Sequence, residues 1–292
     1  MIRAEEIAER LHLPAPSAAS EIREWLSLLE DDYKAFDARL EALPPERAYP
    51  LTLDVYTHEA VKTYQRYREK ELPDEVFWDG AKTLPIWREA CLKETGIDGI
   101  KLRLWPYRFL NLEVFRLGRL EYQESRLKDE VRVAHQRYAK GSPCLEVHIP
   151  AGKDLDLSEV HYSLASAPYF YRKYFGKNYE LFHCASWLLS PALIGLLPED
   201  SNILRFQQNF TLYGEDFSSR QAEERVFGFV SDDPEDYPEE TSLQKNMKAY
   251  LKDGGRMSLG LGILPLLMPE DEDMPPFRPG ESFSCGCCGC GT

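Results

Sequence analysis

The sequence predicts an α+β protein in which a helical N-terminal domain, residues 1–110, precedes a mixed β-sheet domain flanked by helices, residues 111–268. Three observations predict this. Apolar residues recur at helical spacing through the first third of the chain. After residue 110, short β-rich runs alternate with helical segments. Residues 269–292, acidic and Pro-rich and then Cys-rich, carry no periodicity and are expected to form a disordered tail. The 292 residues are 43% hydrophobic and 29% charged. A chain of this length buries roughly 75% of its unfolded surface, so its core needs no disulfide or structural metal.

The helical domain begins with residues 5–13 and continues through 18–43, where Ile22, Trp25, Leu26, Leu29, Tyr33, Phe36 and Leu40 form one apolar stripe. Ser17 or Ser20 is its N-cap and Pro44-Pro45 ends it. A second helix is predicted over 51–71, with further turns over 73–79 and 84–95 and an aromatic cluster at Trp105, Tyr107 and Phe109. The sheet domain opens with a β-rich run at 114–123, a strand at 130–138, and a turn at Lys140-Gly141-Ser142-Pro143. A compact strand, 144–149, then leads through Pro150-Ala151-Gly152-Lys153 into a helix capped at Asp154, Asp156 or Ser158. That helix reaches Phe175, kinked or split at Pro168. A strand over 179–187, a helix over 188–197 and a helix end and strand within 204–213 follow. Thr241-Ser-Leu-Gln244 is a capping box for a helix that stops at Gly254-Gly255, and a last strand covers 257–264.

Charge excludes some functions. Thirty-five Lys and Arg against 49 Asp and Glu give a net charge of −14. Phosphate contacts need clustered cations, so no nucleic-acid partner and no membrane are expected. No apolar run approaches the ~20 residues of a membrane span, since 259–268 is short and broken by Gly260, Gly262 and Pro265. Glu5, Glu6 and Glu9 stand where a signal peptide needs basic and apolar residues, so a cytoplasmic protein is expected.

The strand–loop–helix segment 145–159 is the most informative. Loop amides and a helix N-terminus there make either an anion site or an ordinary βα connection. There is no G-x-G-x-x-G and no G-x-x-x-x-G-K-[ST], which disfavours dinucleotide and P-loop chemistry. Glu146 and His148 alternate on one strand and share a face, forming either a proton relay or a solvated structural pair. His183 and Ser186 lie on the next strand, where they line the same cleft if the two strands splay. Otherwise His183 is a core residue. Tyr213 is a candidate acid. Asn202, Arg205 and Gln207 form a polar series that fixes a cleft wall or contacts a ligand, unless Arg205 simply pairs with a carboxylate. No G-x-S-x-G elbow is present, and His183 and Cys184 point to opposite faces.

Five runs, F-R-L-G-R-L-E-Y-Q (115–123), L-E-V-H-I-P-A-G (145–152), C-A-S-W-L-L-S-P (184–191), S-N-I-L-R-F-Q (201–207) and T-S-L-Q (241–244), resemble a bacterial family of acyltransferase-domain proteins. Members join a helical N-acyltransferase N-terminal domain to a GNAT-like C-terminal domain. The resemblance covers residues 1–268. It implies acetyl-CoA or another acyl-CoA as the donor and a small-molecule or peptide amine as the acceptor. It makes Glu146, His148, Ser186 and Tyr213 the candidate catalytic residues. Val147 and Ile149 on the strand, Gly152, Lys153 and Asp154 in the loop, and Asn202 and Arg205 become the candidate cofactor contacts. The family's Q/R-x-x-G-x-G/A loop is replaced by A-G-K-D-L-D, so either Lys153 supplies the charge or the site is degenerate.

Cysteine usage divides in two. Cys91, Cys144 and Cys184 stand apart in apolar stretches, whereas Cys285, Cys287, Cys288 and Cys290 crowd the C-terminus. The latter four do not match a zinc-ligand spacing. They are weak candidates for a soft metal or redox role, or for a tail-modifying enzyme, beside an incidental reduced tail. The expected function is N-acyl transfer, with acetyl as the expected acyl group, to an amine whose positive charge suits an acidic protein. The alternative is a catalytically degenerate binding or carrier protein that presents its Cys-rich tail.

Overall fold

Residues 2–133, 135–152 and 154–266 are described in a computed structural model. They divide into two units, residues 2–117 with 150–152, and residues 118–149 with 154–266.

The first unit holds α1 (Ala4–Arg10), α2 (Arg23–Asp31), α3 (Tyr33–Glu41), α4 (Pro45–Glu69), α5 (Asp74–Ala81), α6 (Thr83–Thr95), α7 (Leu104–Leu110) and the short strand β1 (Val114–Leu117). Helix α4 is its spine. Tyr56, Ala60, Thr63 and Tyr67 recur at spacings of four and three and are wholly buried, and all six other helices contact α4. The stripe expected as one helix over 18–43 is two helices. Asp32 leaves the helical region at φ −156°, ψ 102°, and its carboxylate accepts the Lys34 and Ala35 amides as the N-cap of α3. The helical stretch stops ahead of Pro44-Pro45 as expected, α3 ending at Glu41, and Pro45 also starts α4, where its missing N–H costs nothing. Pro50 cannot donate within α4, and the Ile100 amide bonds to the neighbouring Tyr49 carbonyl. Gly99 permits that approach, since a Cβ there would lie 2.2 Å from the Tyr49 carbonyl carbon.

The second unit holds β2 (Leu120–Arg126), β3 (Val131–Val133), β4 (Gln136–Tyr138), β5 (Pro143–His148), α8 (Leu157–Phe175), β6 (Leu181–Ser186), α9 (Asn202–Gln207), β7 (Thr211–Asp216), α10 (Gln221–Phe227), α11 (Ser242–Lys252) and β8 (Leu259–Pro265). Its main strands lie in the order β2–β5–β6–β8–β7, with β5 and β6 parallel and the other neighbours antiparallel. The strand expected over 130–138 is the separate hairpin β3–β4. Helix α8 is capped by Asp156 and runs unbroken through Pro168. It packs on β2, where Tyr171 Oη donates to the Tyr122 carbonyl and the Tyr122 and Ser163 hydroxyls bond at 3.0 Å. The helix expected over 188–197 is two 3₁₀ turns, Trp187–Leu189 and Pro191–Gly195, because Pro191 holds Ser190 extended. The Thr241–Gln244 capping box forms as expected. This is the predicted α+β fold: a helix-rich N-terminal region followed by a mixed sheet with flanking helices.

Candidate active site

The parallel pair β5–β6 is joined at only two positions, Leu145↔Phe182 and Glu146↔His183. Both strands continue beyond that point, each held by its outer neighbour. Strand β5 stays on β2 as far as Glu121↔His148, and β6 stays on β8 as far as Ser186↔Gly260. The ladder therefore ends at Glu146 and His183, and a gap bordered by main chain opens between residues 147–148 and 184–186.

Three side chains are linked at the apex of that gap. Glu146 Oε2 lies 2.6 Å from His183 Nδ1, and His183 Nε2 lies 2.8 Å from the Tyr213 hydroxyl. An ionised carboxylate only accepts, so with Glu146 charged Nδ1 carries the proton and donates to it, and the Tyr213 hydroxyl donates to Nε2. Both Glu146 and His183 are largely buried, with side chains 17% and 15% exposed. Burial, reinforced by the negative charge of Glu146, pushes the Tyr213 hydroxyl up to about 12, so it stays protonated at neutral pH. Tyr213 reaches the pair because of a β-bulge. Leu212 pairs with Gly262 and Gly214 with Leu261, leaving Tyr213 as the extra residue between them. The face it joins includes Leu127, Val131, Tyr138, Cys144, Leu181 and Ile263, contributed partly by β3 and β4.

The structure brings Glu146 and Tyr213 together through His183. His148 shares the strand face of Glu146, but the carboxylate of Glu146 bonds to His183. Ser186, buried at the end of β6, accepts the Leu188 amide. Val147 is buried and Ile149 half-buried. Gly152 adopts φ +99° and groups with the first unit, and Lys153 lies outside the described residues. The Asp154 carbonyl accepts from Arg119 Nε. Asn202 and Arg205 lie on the exposed side of α9. Gln207, on its buried side, donates to the Leu188 and Ser190 carbonyls. The Ser190 and Ser258 hydroxyls bond at 3.1 Å, and Ser258 Oγ donates to Glu215. These bonds pin the chain leaving β6 onto β8. Gly260 makes the contact possible, since a Cβ there would lie 2.1 Å from the Leu189 carbonyl oxygen. The tail cysteines, Cys285, Cys287, Cys288 and Cys290, lie outside the described residues. Cys91, Cys144 and Cys184 are free and buried, and burial pushes the Cys144 thiol up to about 12.

A pantetheine arm, an extended chain carrying amides, fits a gap bordered by strand backbone. The pyrophosphate of CoA does not fit the N-terminus of α8. There the Asp156 carboxylate already accepts the Glu159 amide and the Ser158 hydroxyl, which hold it below the usual carboxylate range.

Comparison with known proteins matches this architecture. Residues 2–112 match the N-acyltransferase N-terminal domain and residues 114–264 match the GNAT-like C-terminal domain. The chain belongs to the family that joins these two domains. Among solved structures, an acyltransferase in complex with decanoyl-CoA and teicoplanin is 23% identical with a TM-score of 0.73, covering 91% of this chain and 89% of that one. An acyltransferase in complex with CoA and 10C-teicoplanin is 24% identical with a TM-score of 0.74, covering 90% and 87%. An acyltransferase mutant in complex with octanoyl-CoA is 23% identical with a TM-score of 0.73, covering 91% and 89%. No protein of curated function matches the chain. Among the described residues, no helix is long and apolar enough to cross a membrane.

Proposed function

We propose that the chain is an acyl-CoA-dependent N-acyltransferase in which Glu146, His183 and Tyr213 manage the proton of an amine acceptor. The observation that carries this reading is the Glu146–His183–Tyr213 chain standing where β5 and β6 part. The thioester arm lies along the gap, with the Val147 backbone on one side. An ammonium acceptor loses a proton before its nitrogen attacks the thioester carbonyl. His183 Nε2 receives that proton, relayed through the Tyr213 hydroxyl, and Glu146 stabilises the resulting imidazolium through Nδ1. Collapse of the tetrahedral adduct expels the thiolate of CoA, which takes a proton from Tyr213. Protonated His183 returns a proton to Tyr213 through Nε2, and the proton left on the new amide nitrogen passes to solvent. His148, on the same strand face as Glu146, lines the acceptor side. With Asp156 occupying the N-terminus of α8, cations elsewhere hold the pyrophosphate, and Lys153 is the candidate in the loop.

The complexes of the structural relatives with decanoyl-CoA and octanoyl-CoA support acyl-CoA as the donor. The net charge of −14 favours a cationic acceptor. The test is purified protein incubated with acetyl-CoA or decanoyl-CoA and a panel of primary amines, followed by mass spectrometry for acylated amine and free CoA. One acyl-CoA yields an N-acyl product, and His183→Ala loses turnover while still binding CoA. Absence of transfer from both donors, with no thermal stabilisation by either, would overturn the proposal.

A further inference from the structure

The first unit contains a cavity that the proposed chemistry does not use. It measures about 230 Å³ and is lined by Leu29 and Glu30 of α2, Glu59, Lys62 and Arg66 of α4, Tyr107 and Leu110 of α7, and the adjoining Asn111. Its volume is below the roughly 300–1,000 Å³ of sites for drug-sized ligands, so it suits a small metabolite.

The wall carries two charges of each sign, and their bonding is incomplete. Lys62 pairs with Glu30, and Arg66 Nη2 reaches Glu59 Oε1 at 3.4 Å, Thr63 Oγ1 at 3.3 Å and the Leu110 carbonyl. Glu59 is over nine-tenths buried, yet its Oε2 makes no hydrogen bond, and Lys62 Nζ stands 3.7 Å from it. Arg66 Nε is likewise buried without a hydrogen-bond partner. The wall therefore holds, just beneath its surface, a carboxylate oxygen lacking a hydrogen-bond donor, with Lys62 beside it, and a guanidinium N–H lacking an acceptor, so a ligand reaches them only as side chains shift. Leaving such groups unsatisfied is costly, and a ligand that fills both recovers that cost. A monoanion would leave the Glu59 oxygen without a donor, and a monocation would leave Arg66 Nε without an acceptor.

We propose that this cavity binds a small zwitterion, a free α-amino acid, with its ammonium on Glu59 and its carboxylate on Arg66. Lys62, paired with Glu30, draws back from Glu59 Oε2 as the ammonium takes its place. The groups facing Glu59 are Lys62 and Arg66 on its own helix, Glu30 on α2 and Tyr107 on α7. Burial outweighs Arg66 and raises the empty-site carboxyl to about 7, the signature of an acid short of positive charge. An arriving ammonium favours its ionised form, so binding near pH 7 releases a fraction of a proton, up to about one half.

The test is a thermal-shift screen of the full chain against the twenty common L-amino acids, followed by calorimetry of the strongest at pH 7 in buffers of different ionisation enthalpy. At least one amino acid raises Tm saturably and releases a fraction of a proton on binding. Its N-acetyl and carboxamide forms, each lacking one charge, bind roughly tenfold more weakly or worse. Glu59→Gln keeps the size and fold of the side chain and abolishes the shift. Lack of stabilisation by any amino acid, equal binding of the blocked forms, or a shift that survives in Glu59→Gln overturns the proposal. Because neither the cavity nor its probes involve CoA, the outcome is independent of the acyl-transfer assay.

Discussion

At the residue scale, the proton chain and the buried acid make separate predictions. Glu146→Gln keeps the shape of the side chain but loses the charge that stabilises protonated His183, and Tyr213→Phe removes the hydroxyl that donates to it. Each is expected to lower the turnover number by roughly 10²-fold or more in a steady-state assay. The CoA dissociation constant should hardly move, because neither side chain grips the nucleotide. A CoA affinity that falls in step with turnover would place these groups in cofactor binding instead. Glu59 predicts a stability effect. Its carboxyl is raised to about 7 in the fold, above the unfolded value near 4.3. The native state therefore holds more protons than the unfolded chain between these values. The stability from protonated Glu59 is fully present below about pH 4.3 and is lost as pH rises through about 7. The loss amounts to up to about 4 kcal/mol. Urea unfolding across that window should show the decline in the wild type and a flatter profile in Glu59→Gln.

At the element scale, what was legible in the sequence follows the reach of each interaction. Helices whose signal is local, such as the one opened by the Thr241–Gln244 capping box, could be read from spacing alone, whereas the stripe through Phe36 and Leu40 gave the helical face but not the break at Asp32. Glu146 was also visible, as an acid within a strand. His183 was visible only as a residue of the same cleft if the strands splay, and its bond to Glu146 was not, because β6 reaches β5 across helix α8 and strand periodicity does not record the register between them. His183 is 37 residues from Glu146, and in an aromatic strand it reads equally well as a core residue. The Tyr213 bulge is equally silent, since it exists only relative to β8. The 3₁₀ turns after β6 replaced a predicted helix because Pro191 and packing on β8 outweighed an apolar run. That packing gives a direct test. Gly260→Ala places a methyl against the Leu189 carbonyl and should destabilise the fold by roughly 1–3 kcal/mol in chemical denaturation. Thr241→Ala, which removes half of the capping box, should cost about 1 kcal/mol.

At the scale of the whole molecule, the fold follows from a division of labour already present in the composition. A helical unit is organised on one 25-residue helix, and a sheet unit carries the proton chain. A saturating CoA ligand should stabilise the protein by about 2.7 kcal/mol at a hundredfold excess over Kd. In a melting experiment decanoyl-CoA and acetyl-CoA can be ranked by the same shift. Strand β8 gives the molecule one more property. It is the last strand of the described chain, yet it lies between β6 and β7, and β7 joins the main sheet through it. During synthesis, Glu146, His183 and Tyr213 all leave the ribosome before β8 does, but Tyr213 has no strand to seat it until Leu259–Pro265 has emerged. The nascent protein thus carries these acid–base groups while their assembly waits for β8.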